Sequence, residues 1–177
     1  MAHSTRQSLR NLQERLAARL ADAKKVGAEA AWLAVEASGR RYLLPLAHAG
    51  EIFAFAAVQP VPHTRPWFLG VAALRGNLMG VVSLAGFFSP DGTALVGAQR
   101  QEVKLIAFNG ALGVNAALLV DRLVGLRYAN MFVGVTPRQV GESSVFSQRL
   151  TDARGEVWQE LNLQALVESS EFLGVVA

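Results

Sequence analysis

PWFLGVAALRGNLMGVVSLAGFF, residues 66 to 88, decides how the rest of the chain is read. Val71, Ala73 and Leu74, then Leu78, Val81, Val82 and Leu84, make two apolar, β-prone runs, and Arg75, Gly76 and Asn77 lie between them. The stretch therefore predicts a β-hairpin, with Gly76 and Asn77 supplying the positive φ that a tight reversal needs. Successive side chains on a strand point to opposite faces, so one of Trp67 and Phe68 is expected in the core.

Upstream, Ala31 to Leu46 holds a second hairpin signal, Ser38-Gly39 between apolar runs. The segment from His48 to Pro66 carries Pro60, Pro62 and Pro66, which force an extended crossing rather than a regular element. Downstream, Ser89 to Gly92 reads as a turn and Thr93 to Gln101 as a flexible loop. A second round follows: Glu102 to Leu126 with Asn109-Gly110 as its hairpin turn, an extended connection from Tyr128 to Ser147, and a final hairpin and short helix over Leu150 to Leu173. Arg75-Gly76 with Leu78, Val82, Leu84 and Phe87 matches Arg154-Gly155 with Val157, Leu161, Leu163 and Leu166 at one fixed offset. Ser38-Gly39 similarly matches Asn109-Gly110. A repeated unit of hairpin, crossing and hairpin cannot cover its own apolar faces, so it implies two small barrels sharing a core.

The composition bounds the function. The chain is 51% hydrophobic and 18% charged, which suits extensive burial or an apolar surface kept for a partner. With no cysteine there is no disulfide, thiolate metal site or cysteine nucleophile. The net charge of +3 resides entirely in residues 1 to 30; beyond them 11 Lys and Arg balance 11 Asp and Glu. A nucleic-acid groove concentrates basic residues on the folded body, so this distribution counts against one, although a small nucleic-acid-binding β-barrel stays as the alternative class. Residues 5 to 30 read as an amphipathic helix, with Leu9, Leu12, Leu16 and Leu20 on one face, and form an extension to a main domain over 31 to 177. No apolar run is long enough to span a bilayer and no signal-peptide core is visible, so the expected location is cytoplasmic.

Residues suited to catalysis or metal binding are few. The three histidines, His3, His48 and His63, form no ligand pair, no acidic cluster has metal spacing, and no cofactor is expected. GVVSLAG around Ser83 lacks the glycine spacing of a nucleophile elbow. His63 between prolines could be a general base or an ordinary loop residue. Trp158 could mark an interface edge or be a core indole whose N–H finds an acceptor. Arg75, at the tip of the central hairpin, is expected to form a structural ion pair with Glu51 or to contact a partner.

GVAALRGNLMGVVSL resembles the GVxNLRGxxxPVxDL segment of CheW-like adaptor domains, the couplers of receptor to kinase in bacterial chemosensory arrays. From Ala31 to about Glu168 the order of motifs is similar to that family: a hairpin, Glu51-Ile52, Leu69 to Val71, Leu74 to Gly76, Val81 to Leu84, Asn109-Gly110, Val120-Asp121 and the closing Arg-Gly hairpin with its helix. The PWxxGVAxxRG start, the paired phenylalanines and the N-terminal extension look like the branch that serves type IV pili and twitching motility. The resemblance implies a mainly β fold of two interlocked five-stranded SH3-like barrels and no catalysis. It implies two partners: the regulatory domain of a CheA-type histidine kinase, and the tip of a methyl-accepting chemoreceptor, at the periphery of a membrane-associated array. Carried over by position, Ala49, Glu51, Leu69 and Gly70 face the kinase, and Leu123 and Leu126 face the receptor. Gly70 is expected to admit the partner's backbone, so Gly70→Arg should fold normally and lose the kinase. The chain departs from the family pattern at Gly80, Ser83 and Ala73, where proline, aspartate and asparagine are usual; Gly80 is expected to soften a strand edge.

Overall fold

The computed structural model describes residues 31–89 and 102–177. The helix expected over 5 to 30, most of the turn Ser89 to Gly92 and the loop Thr93 to Gln101 lie outside the described residues. In chain order the strands are β1 (Ala31–Ala37), β2 (Arg40–Pro45), β3 (Ala49–Ala54), β4 (Phe68–Leu74), β5 (Asn77–Ser83), β6 (Lys104–Phe108), β7 (Ala116–Val120), β8 (Arg122–Tyr128), β9 (Phe132–Thr136), β10 (Phe146–Asp152) and β11 (Val157–Leu161). Short helices α1 (Leu84–Phe87), α2 (Leu163–Glu168) and α3 (Ser170–Leu173) follow β5 and β11.

Two mixed sheets result, ordered β8-β1-β2-β11-β10-β9 and β3-β6-β7-β5-β4. All pairings are antiparallel except β2 with β11 and β5 with β7. The first sheet has six strands where five were expected, because β8 and β9 are one path bent by the 3-10 turn Ala129–Met131. Its two edges are thereby consecutive in the chain, so the sheet curls. The second sheet curls as well: its edges are β3 and β4, and the chain running on from β3 bridges to β4 at Gln59 and Val71. Two SH3-like walls form, neither hydrogen-bonded continuously round its circumference.

The two rounds of the repeat are both present, but they are interlocked by exchange. The first contributes the hairpin β1–β2, the crossing β3, and the hairpin β4–β5 with α1; the second contributes β6–β7, β8 and β9, and β10–β11 with α2. Each opening hairpin leaves its own round. β1 and β2 pair with β8 and β11, while β6 and β7 pair with β3 and β5. The connectors that hand the chain across are short, and each is tied to the turn of the hairpin beside it: Asn109 N–H donates to the His48 carbonyl at 2.8 Å, and Ser38 N–H donates to Asp121 Oδ2 at 2.6 Å.

Burial follows from this arrangement. The exchanged strands are covered on both faces, which is why AWLAVEA, KLIAF and AALLV read as continuous apolar runs rather than alternating ones. Trp32, Ala34, Leu43, Leu150 and Trp158 fill the first barrel. Leu74, Val81, Leu105, Ala117 and Leu119 fill the second. Between them lies the largest core, where Leu33 and Val35 meet Ile106, Leu118, Leu161 and Leu166.

Local details correct five expectations. The segment from His48 to Pro66, expected to hold no regular element, opens with β3, because its prolines begin only at Pro60 and leave Ala49–Ala54 free to pair with β6. The central hairpin turns on Arg75 (φ 47°) and Gly76 (φ 79°), and Asn77 is already in β5 opposite Leu74. A two-residue reversal between right-twisted strands needs positive φ at both central positions, so Arg75 accepts the left-handed region as Ser38 does at the matching turn. Asn109-Gly110 is not a tight turn: Asn109 Oδ1 caps the 3-10 segment Gly110–Leu112, and seven residues link β6 to β7. Burial of Leu112 in the shared core outweighs the dipeptide's turn preference. The connection Tyr128 to Ser147 contains β9, whose short edge strand leaves little periodicity. Gly80 lies in β5, between β4 and β7, and therefore not at a sheet edge.

Candidate functional site

The four positions expected from the resemblance to face a kinase, Ala49, Glu51, Leu69 and Gly70, fall on the seam of the second barrel, where its two edge strands approach each other. Ala49 opens β3 and is buried opposite Phe108; Glu51, two residues on, is exposed. Leu69 and Gly70 lie on β4, where Leu69 packs against the barrel interior and Gly70 is buried. Arg75, at the tip of the β4–β5 hairpin, reaches back across the seam, its Nη2 lying 2.6 Å from Glu51 Oε1. The Arg75 side chain is 74% exposed, so this is a solvated pair of small energetic weight that joins one edge to the other. Leu78, 65% exposed and opposite Ala73, extends the surface beside the tip. Sequence reading counted it among the strand's apolar residues; only its place directly after a two-residue turn hints that it faces solvent.

Gly70 plays a different part from the one expected. Its φ is +129°, and a Cβ added there would collide with Gln59 O and lie 2.7 Å from the Gln59 carbonyl carbon and 2.8 Å from Pro60 Cα. The close backbone approach that glycine permits is made by this chain's own crossing segment, through the paired bonds Gln59 N–H to Val71 O (2.7 Å) and Val71 N–H to Gln59 O (2.9 Å). Gly70→Arg therefore cannot be accommodated by this backbone without moving the crossing.

The two positions expected from the resemblance to face a receptor lie on β8. Leu123 and Leu126 are an odd number apart, which on a regular strand puts them on opposite faces. A bulge between Ala34 and Val35 in the β1 ladder resets the register, with Gly125 at φ 129° on β8, so that Leu126 opposes Leu33 and Leu123 opposes Val35. Both β1 partners belong to the core between the barrels. Leu123 packs against that core and Leu126 is 46% exposed, so the pair forms an apolar strip running from the shared core to the surface.

The other residues singled out by sequence have structural places. Ser83 is buried, and its Oγ accepts from Gly86 N–H at 3.0 Å as the N-cap of α1. Trp67 is the core member of its pair, packed against Phe87 and Phe172. Trp158 is a core indole: it is buried, and its Nε1–H donates to Asp152 Oδ2 at 3.1 Å. Burial works to raise the Asp152 pKa, but this bond and those from the backbone N–H groups of Glu156 and Arg154 outweigh it and hold the carboxyl below its usual value. His63 is exposed with φ 58°, and its carbonyl accepts from Ala177 N–H at 3.0 Å. Its ring has no hydrogen-bond partner among the described residues, where no group of three or more histidines and acids is arranged to hold a metal ion. No helix among the described residues is long and apolar enough to cross a membrane.

Comparison with known proteins agrees with this architecture. The family model of the CheW-like domain matches residues 31–171. Protein PilI of Pseudomonas aeruginosa is 31% identical over 90 residues, a span that covers 51% of this chain and about half, 48%, of that protein. The crystal structure of the scaffolding protein TtCheW from Thermoanaerobacter tengcongensis superposes with a TM-score of 0.65 at 18% identity, covering 81% of this chain and 95% of the other.

Proposed function

Because this chain belongs to the CheW-like domain family, we propose that it is a non-catalytic chemosensory adaptor, coupling a methyl-accepting chemoreceptor to a CheA-type histidine kinase in a system that governs type IV pili and twitching motility. The observation that carries the reading is the family match over nearly the whole described fold; the likeness to PilI directs it toward twitching. In this reading the kinase's regulatory domain meets the seam of the second barrel at Glu51 and Leu69, beside Ala49. Gly70 contributes by holding the seam closed rather than by touching the partner. The receptor tip takes the β8 strip at Leu123 and Leu126. Signalling then needs no chemistry. A receptor that contacts the adaptor differently in two states alters the pose in which the kinase is held, and the differential contact supplies the regulation.

The test is separate binding of the purified protein to the kinase regulatory domain and to the receptor signalling domain. Leu126→Glu changes a half-exposed side chain and is expected to lose the receptor while keeping the kinase. Glu51→Lys is expected to do the reverse. If each variant retains both partners, or the unaltered protein binds neither, the assignment fails.

A further inference from the structure

A second surface, on the first barrel, shares no residue with the seam or the β8 strip. A cleft of about 550 Å³ opens over the outer face of β2, β11 and β10. Its floor follows from register: Tyr42 opposes Gln159, and Gln159 opposes Arg149, so the three form one row across three strands. Phe146 and the half-exposed Val157 add apolar surface, and Arg40 and Arg41 stand at one rim.

The charges of the cleft are unequal. Three guanidinium groups line it against a single carboxylate, that of Glu142. Glu142 is already committed: it is paired with Arg149, and its Oε2 accepts from Gln139 N–H at 2.8 Å. Arg138 also donates to the Glu142 carbonyl at 3.0 Å, so the loop is folded down as a wall of the cleft. Arg41 is engaged outside the cleft, with Glu156 at 2.6 Å and Glu36 at 3.6 Å. Arg40 forms no ion pair with a carboxylate among the described residues and is held instead beside the Tyr42 hydroxyl. The cleft thus carries excess positive charge at one rim and apolar surface from Phe146 and Val157.

We infer that this cleft is a docking site for an acidic segment of a protein partner, in which Arg40 pairs with a carboxylate and Phe146 with Val157 receives an adjoining apolar side chain. Charge complementarity selects the partner: a planar guanidinium without a carboxylate partner favours a carboxylate, and the apolar surface of Phe146 and Val157 favours a peptide over a bare anion. The chain's own segment over 1 to 30 is basic, the wrong sign for this role.

The test uses the full chain and a fluorescein-labelled peptide of repeated Glu-Glu-Leu triplets, followed by anisotropy and by amide NMR shifts. Binding is expected to weaken as salt rises, with shifts centred on Gly39, Arg40, Ser143, Val157 and Gln159. Arg40→Glu is expected to weaken binding by about tenfold or more, while Arg65→Glu, an exposed arginine on the crossing of the other barrel, leaves it unchanged. Arg40→Gln serves as the milder variant if charge reversal disturbs the hairpin. Equal affinity in both Arg40 variants, shifts centred elsewhere, or equal binding of a Lys-Lys-Leu peptide overturns the proposal. Displacement of the peptide by millimolar inorganic phosphate also overturns it, in favour of a small-anion site. None of these outcomes bears on the seam or the β8 strip.

Discussion

Gly70→Ala is the most informative single change, because it separates what the seam needs to fold from what a partner needs to bind. A methyl group at this position cannot fit against the Gln59 carbonyl, with Pro60 Cα 2.8 Å away. The crossing must retreat, and with it go the two backbone bonds between Gln59 and Val71, at 2.7 and 2.9 Å. Each is worth about 1 kcal/mol net. Forcing an L-residue to a φ of +129° adds roughly 1–2 kcal/mol, and reduced freedom of the unfolded chain returns about 0.5–1 kcal/mol. The net loss is about 3 kcal/mol, or a fall in melting midpoint of roughly 6–12 °C for a chain of this size. Gly76→Ala is the matched control: φ is +79°, but the new methyl meets nothing within 4 Å, so only the conformational cost of about 1 kcal/mol applies. Urea unfolding of both variants, with m-values compared, isolates the close approach as a difference of about 2 kcal/mol. If Gly70→Ala costs no more than Gly76→Ala, the crossing does not press on β4 and the seam is not locked in the way described. A binding defect in a Gly70 variant, by the same reasoning, reports a moved crossing before it reports a lost contact.

Three further outcomes are expected. Arg75→Glu sets like charges across the seam and should lower stability by no more than about 1 kcal/mol, with the loss recovered when Glu51→Arg is added; a double variant no better than the single one dissolves the pair. The Glu142 carboxyl is held below its usual value, chiefly by the Gln139 N–H and then by Arg149, so its contribution is present above the ordinary carboxylate range and is lost as pH falls through its folded value; the Gln139 amide resonance should move in that acid window and stay still between pH ~6 and ~8. Trp158→Phe removes the donor to Asp152 Oδ2 and underfills a buried site, so the variant should be less stable and the Asp152 carboxyl should titrate closer to its ordinary value; a carboxyl 13C titration that does not move would show that the backbone donors alone hold it down.

Much of this protein was legible in its residues because the relevant signals are local. Ser38-Gly39 and Arg75-Gly76 mark turns by what their backbones tolerate. Pro60, Pro62 and Pro66 keep regular structure out of the later part of the crossing, although its start, Ala49–Ala54, is the strand β3. The pairing of Arg75 with Glu51 could be drawn from the hairpin tip and the crossing alone. Where reading failed, tertiary contact outweighed local preference. Asn109-Gly110 gave up a tight turn so that Leu112 could be buried, and Gly70 serves an approach within the chain that no strand pattern displays. Leu123 and Leu126 share a face only because a bulge shifts the register, and bulges leave no reliable mark in sequence. The arginine cleft was invisible for a related reason: Arg40 is far in the chain from Glu142 and Arg149 and joins them only through the pairing of β2 with β11 and β11 with β10.

The sequence by itself determined a repeated unit of hairpin, crossing and hairpin, with apolar runs too continuous to have a solvent face. That β1 and β2 need cover on both sides is written in AWLAVEA and RRYLLP. Which strands provide the cover is not. The tertiary structure decided that each opening hairpin is given to the other round's barrel, because backbone pairing is nearly indifferent to the identity of its neighbour. What discriminates is the fit of side chains in the shared core and the reach of connectors one and three residues long, Asp121 and Leu46 to His48.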